Sequence, residues 1–181
     1  MELRRHPRIE LLSTRIVHQG RIFDVVRERL RLPSGLEQEL EVVVHSGAVA
    51  VAALDARGRL ALVRQYRHPA GDWLLEVPAG RVEVGEDRLV AAQRELEEET
   101  GLRAQSWSLL REFFAAPGFC SERLSLYLAE QLESVREGRR AHDHDEELEL
   151  EFRTPEELLR EAQDAKTLIA AALLLERERP R

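Results

Sequence analysis

From Ile9 to His45, short runs that mix apolar and polar residues are separated by turn signals: IVHQ, then GR, then IFDVVRERLRL, then Pro33-Ser34-Gly35, then LEVVVH. Such runs predict β-strands, and the Ser34-Gly35 pair between two of them predicts a hairpin. Ala48 to Leu54 (AVAVAAL) is continuously apolar and rich in valine, which predicts a strand covered on both faces. Asp55 to Gly58 (DARG) reads as a turn, and RLALVRQYR after it as the partner strand. The period changes after Gly80. Leu89, Ala92 and Leu96, and then Glu95, Glu98 and Glu99, recur at spacings of three and four, so Glu86 to Thr100 predicts an amphipathic helix. Gly101 stands where a left-handed cap would end it. Strand-like runs return at Trp107–Phe114, Leu124–Ala129 and from Leu148 (LELEF). Thr154 offers an N-cap ahead of Pro155 at the first helical position of PEELLREAQ, and a last helix runs from about Lys166 to Arg177. Strands, one helix, strands and two helices predict an α+β fold with a mixed sheet. Residues 1–45 would form a small N-terminal β segment and 46–181 the main domain.

Composition narrows the function classes. The chain of 181 residues carries 34 acids against 27 bases, a net −7. This balance opposes nucleic-acid and anionic-membrane binding, both of which call for a basic face. It leaves open a phosphate-bearing small molecule, because metal ions reverse the local sign of an acidic site. The longest apolar run, Leu168 to Leu175, is too short to span a bilayer, and the N-terminus shows no signal-peptide core. A single cysteine, Cys120, rules out an internal disulfide and suits a reducing cytoplasm. One lysine (Lys166) stands against 26 arginines, with no asparagine. Codon bias or a heat-tolerant source accounts for that without reference to chemistry.

The acidity is concentrated. Gly80 to Leu102 holds seven acids and three bases, and Asp143 to Glu151 holds six acids and no base. Together they contribute −10, so the rest of the chain is +3. On a helix Glu95, Glu98 and Glu99 share one face, and like charges so spaced destabilise it. Hard divalent cations suit such a face, since Mg²⁺ takes a few carboxylates plus water and phosphate oxygens. The plainer reading is a solvated acidic face relieved by arginines such as Arg94.

The spacing goes further. Gly80, Glu86, Arg94, Glu95, Leu96, Glu98, Glu99, Gly101 and Leu102 fill the pattern G-x5-E-x7-R-E-U-x-E-E-x-G-U, with U aliphatic, at all nine defined positions. The segment resembles the Nudix box. The resemblance implies a Nudix hydrolase, an α/β/α sandwich around a mixed β-sheet with the box as a loop–helix–loop. It would cleave a nucleoside diphosphate linked to another group, with Mg²⁺ or Mn²⁺. By carry-over Glu95 and Glu99 are the principal metal ligands. Glu98 is a further ligand or a proton acceptor, the Ala79 carbonyl is another ligand, and Glu86 and Arg94 orient the helix through an ion pair.

The flanks bear on the substrate. Pro117, sixteen residues after Gly101, with VRQYR, WLLEVPAG and DAKTLIAAAL, resembles the ADP-ribose pyrophosphatase subgroup. That resemblance implies hydrolysis of ADP-ribose to AMP and ribose 5-phosphate by a homodimer, with the N-terminal segment completing the partner's adenine site. Arg67 would contact the phosphate or terminal ribose, or else be a surface arginine at a strand end. Phe23, Arg27, Arg29 and Pro117 are further substrate-binding candidates, with Phe113 and Phe119 beside them. In the acidic stretch from His142 the resemblance implies a glutamate that activates water. Glu146 is the candidate, with Glu147, Asp145 and Asp143 as rivals. His142 and His144 are poor metal ligands for a chemistry of hard oxygen donors, and Cys120 reads as a small core side chain. Other nucleoside-diphosphate sugars, dinucleoside polyphosphates and oxidised nucleotides remain alternatives. So, more remotely, does a non-catalytic ADP-ribose sensor, though that would lack box glutamates and carry a DNA-binding appendage.

Overall fold

The computed structural model describes residue 3, residues 5–135 and residues 148–178. They divide into two compact units, 1–47 with 113–123, and 48–112 with 124–181.

The first unit holds β1 (Glu10–Gln19), β2 (Asp24–Arg31) and β3 (Glu37–Val44), an antiparallel sheet in that order. Its second hairpin turns at the predicted place. The Gly35 N–H donates to the Leu32 carbonyl at 2.9 Å, and Gly35 has φ +85°, where a side chain is strained. Residues 113–123 join this unit through a distant return of the chain. The Val43 N–H donates to the Phe119 carbonyl (2.8 Å), and the Ser121 N–H to that of Val43 (3.0 Å).

In the second unit β4 (Ala48–Ala53) is buried at all six residues, as continuous apolarity predicts. The elements that follow are β5 (Leu60–Arg67), β6 (Asp72–Glu76), β7 (Ala79–Arg81), α1 (Arg88–Thr100), β8 (Leu102–Phe114), β9 (Arg123–Ser134), β10 (Glu149–Arg153), α2 (Pro155–Glu161) and α3 (Ala165–Glu178). One sheet runs β7-β4-β9-β8 and is mixed, with β4 parallel to β9 and antiparallel to β7. The other, β10-β5-β6, is antiparallel. The strand after the DARG turn is therefore not the hairpin partner of β4. The two meet at one bridge, Leu54 to Leu60, before β5 turns into the second sheet. Both strands are buried apolar runs, and such runs carry no local mark of which neighbour they choose.

Helix α1 starts two residues later than the periodicity suggests. Asp87 takes the N-cap, its side chain accepting from the Leu89 and Val90 N–H groups at 2.8 and 3.3 Å. Gly101 closes the helix at φ +66° as expected. Ala91, Ala92 and Leu96 pack fully buried with Val49, Val51, Ala53, Ala61 and Ala129. The two alanines let the helix lie close to the sheet, and each fully buried Val or Leu contributes about 1.5–3 kcal/mol. Thr154 caps α2 in a reciprocal capping box with Glu157. Among the described residues no helix is long and apolar enough to cross a membrane.

Candidate active site

Five consecutive residues, 76–80, form the end of β6, a two-residue link and the start of β7, and each is held. At the far end lies Gly80. A Cβ there would stand 2.0 Å from Oε1 of Glu95 and 2.4 Å from its Oε2. The glycine is needed for close approach of a carboxylate to the backbone rather than for a left-handed turn. Beside it, the Ala79 N–H donates to Oε2 of Glu99 at 3.0 Å, and the Pro78 carbonyl accepts from the Val51 N–H at 2.8 Å. Two box glutamates of α1 thus reach the same short loop.

Arg94 gathers Glu86, Glu95 and Glu98 about one guanidinium. Its Nε and Nη2 donate to the two oxygens of Glu86 (3.0 and 3.2 Å), and Nη2 also to the Arg81 carbonyl (3.1 Å). Its Nη1 donates to Glu95 (2.7 Å) and Glu98 (3.0 Å). The expected Glu86–Arg94 pair is present, and the same guanidinium also relieves the like-charge crowding of the helix face. Hydrogen bonds from Arg94 hold the Glu86 pKa below the ordinary carboxylate range. Glu97 turns aside to Arg103 through two contacts of 2.7 Å.

Among the described residues no group of three His, Cys, Asp or Glu side chains is arranged as a ready metal cage. The donor set is nevertheless of the right kind. It offers hard carboxylate oxygens gathered on one helix face, one of them seated in a cradle that any side chain at position 80 would fill. Glu95, Glu98, Glu99 and the Ala79 carbonyl fit a hard divalent cation in chemistry.

At the near end of the segment stands a group that sequence reasoning missed. Glu76, whose side chain is 3% exposed, accepts from Arg67 Nε and Nη2, both at 2.8 Å, and from Lys166. Lys166 also meets Asp164 at 3.0 Å. Asp164 in turn accepts from the Thr167 hydroxyl at 2.6 Å, and that hydroxyl accepts from the Val77 N–H at 2.9 Å. Burial alone would raise the Glu76 pKa, but the hydrogen bonds and charges of Arg67 and Lys166 overcome it and hold the group low. The available signal was the lone lysine, at a position where the chain's strong arginine bias is not followed.

The other expected substrate residues belong to the N-terminal unit. Arg27 pairs with Glu41 across the β2–β3 ladder and approaches Glu39 at 3.8 Å, while Arg29 pairs with Glu37 at 2.5 Å. Such exposed pairs contribute little to stability. Phe23 precedes β2 and is half-exposed, and Pro117 lies exposed in the turn before Cys120. Glu146, its rivals Asp143, Asp145 and Glu147, and His142 and His144 lie outside the described residues.

Comparison with known proteins places this loop and helix in a family. The NUDIX domain matches residues 44–172, most of the chain and the whole of the site around Gly80. The chain belongs to this family. A relative from Bacillus subtilis (strain 168), called ADP-ribose pyrophosphatase, is 40% identical over 163 residues, covering 87% of this chain and 88% of its own. A Bacillus methanolicus protein called methanol dehydrogenase activator is 38% identical, covering 90% of each. A crystal structure of an ADP compounds hydrolase has the same fold, with a TM-score of 0.79 at 24% identity and 96% of both chains covered. The α+β architecture expected for the family is thus observed in the molecule, and its structural neighbour shares the fold.

Two outcomes follow from this geometry. Gly80→Ala meets the flexible end of Glu95 rather than backbone, so the variant folds while the carboxylate is displaced. Turnover is expected to fall about a hundredfold or more with an unchanged circular dichroism spectrum; normal turnover would show that the Gly80–Glu95 approach has no role. Glu76, with its pKa below the ordinary 4.5, contributes stability fully above that pH and loses it as the pH falls through the lowered value. Glu76→Gln is therefore expected to cost about 3 kcal/mol at neutral pH and to flatten the acid limb of stability. Denaturant unfolding of both proteins between about pH 3 and about pH 7 measures this; parallel curves would contradict it.

Proposed function

We propose that this Nudix protein hydrolyses the pyrophosphate bond of ADP-ribose, giving AMP and ribose 5-phosphate. One observation carries the hydrolase reading: the Glu95 and Glu99 carboxylates meet the Gly80 loop, with Glu98 bound to the same guanidinium as Glu95. The substrate reading is supported by the likeness to the Bacillus subtilis ADP-ribose pyrophosphatase along nearly the whole chain.

In this reading Glu95, Glu98, Glu99 and the Ala79 carbonyl hold Mg²⁺ or Mn²⁺. Such a cation screens the pyrophosphate charge and acidifies water. Arg67 binds the phosphate or the terminal ribose, its guanidinium oriented by two hydrogen bonds to Glu76. Phe23, Arg27 and Arg29 serve the adenine site of the partner copy, and Pro117 is a further substrate-binding residue. A water oxygen bonds to one phosphorus as the bridging P–O bond breaks. The proton passes to Glu98 or Glu146, and the leaving phosphomonoester takes the bridging electron pair.

The partner is a second copy of the chain, in a reducing cytoplasm that suits its one cysteine. The dimer reading is supported by exposed apolar side chains of the N-terminal unit: Ile16, Val17, Ile22, Leu36 and Leu40. Sedimentation that finds only monomer at micromolar concentration would refute it. The likeness to the methanol dehydrogenase activator favours a second reading, action on another enzyme.

Assay of the purified protein with Mg²⁺ against ADP-ribose, other nucleoside-diphosphate sugars, dinucleoside polyphosphates and oxidised nucleotides separates these. ADP-ribose is expected to give the highest kcat/KM, and cleavage of none of them would leave the second reading standing alone. Glu99→Gln is expected to lose most turnover, about a thousandfold, with the fold intact. Glu146→Gln is expected to lower kcat strongly with little change in KM, the mark of a group acting in the transition state. A change in KM alone would assign Glu146 to binding instead.

A further inference from the structure

The lone lysine occupies a position with consequences for Arg67. Lys166 lies near the start of α3 with its side chain 12% exposed, between the carboxylates of Glu76 and Asp164. Glu76 is 90 residues away in sequence and almost wholly buried, whereas Arg67, bound to the same carboxylate, keeps 38% of its side chain exposed. The carboxylate is thus a buried bridge, with a buried cation on one side and a solvent-accessible one on the other.

One consequence follows from the geometry. Glu76 is gripped from both sides, so the fork it offers Arg67 is fixed in direction, and a guanidinium bound through Nε and Nη2 inherits that direction.

We propose that Lys166 is a positioning residue for substrate binding: through Glu76 it fixes the direction in which Arg67 meets the phosphate or terminal ribose of the substrate. The inference rests on the ADP-ribose reading and on the placing of Arg67 at the substrate. It gives α3 a part in recognition, beyond packing. The neighbouring Thr167, bonded to the Val77 N–H, anchors the same loop.

The test uses kinetics and a signal that only this residue supplies. Lys166→Met is expected to raise KM for ADP-ribose about tenfold while kcat stays within about twofold, and Lys166→Arg is expected to recover most of the loss. An unchanged KM in Lys166→Met, or a loss of kcat that tracks the unfolded fraction, would overturn the proposal in favour of a stability role. Because the chain has one lysine, protein labelled with 15N-lysine gives one side-chain Nζ resonance in NMR. Saturating ribose 5-phosphate with Mg²⁺ is expected to shift it, and Arg67→Ala to abolish the shift. An unmoved resonance while backbone amides report bound ligand would overturn the proposal even if Lys166→Met failed to fold. Absence of ADP-ribose turnover by the parent protein removes the substrate reading and this inference together. Parent turnover with an unmoved KM removes this inference alone.

Discussion

The close approach of the Glu95 carboxylate to the bare α-carbon of Gly80 is the contact on which the site depends. It requires a glycine at 80, a helix that brings residue 95 within reach, and a cation to make the crowded carboxylates tolerable. Ala91 and Ala92 supply the second by letting α1 settle onto the sheet, and Arg94 supplies the third. Asp87 and Gly101 fix where the helix begins and ends, and so which way its glutamates face. Each is a small local effect. Together they hold several negative charges in one place, a costly arrangement unless a cation is to share it.

The loop at 76–80 is held from both flanks. On one side α1 delivers Glu95 and Glu99, and on the other α3 delivers Lys166 and Thr167. Buried charge pairs of the Glu76 kind stabilise little against an apolar alternative, yet breaking one is expensive. What they supply is direction. Arg67 stays oriented while remaining accessible, which an apolar contact at Glu76 would not achieve.

Much of this was legible in the sequence, and for identifiable reasons. The box helix, its Gly101 cap, the Gly35 hairpin and the Thr154-Pro155 start of α2 are written in residues within a few positions of one another. The carboxylate face was visible because helical period turns spacing into geometry. The mixed sheet followed from element order, but its pairing did not: β4 runs beside β9, some seventy residues on, and not beside the adjacent β5. The meeting of Arg67 and Glu76 with Lys166 was hidden for the same reason, since no local pattern records what a buried carboxylate will face across ninety residues. The role of Gly80 was half-legible. Its place in the box was plain, and the reason for it needed the carboxylate above it.

The overall charge of −7 reads differently in this light, because several of the acids responsible are bound to Arg94 or gathered about Gly80. Divalent-cation binding by this face is read by calorimetric titration of the intact protein with Mn²⁺, beside a variant carrying Glu95→Gln, Glu98→Gln and Glu99→Gln together. The parent is expected to bind Mn²⁺ and the triple variant to lose binding with the fold retained. Equal Mn²⁺ affinity in both proteins would show that the cation does not bind here.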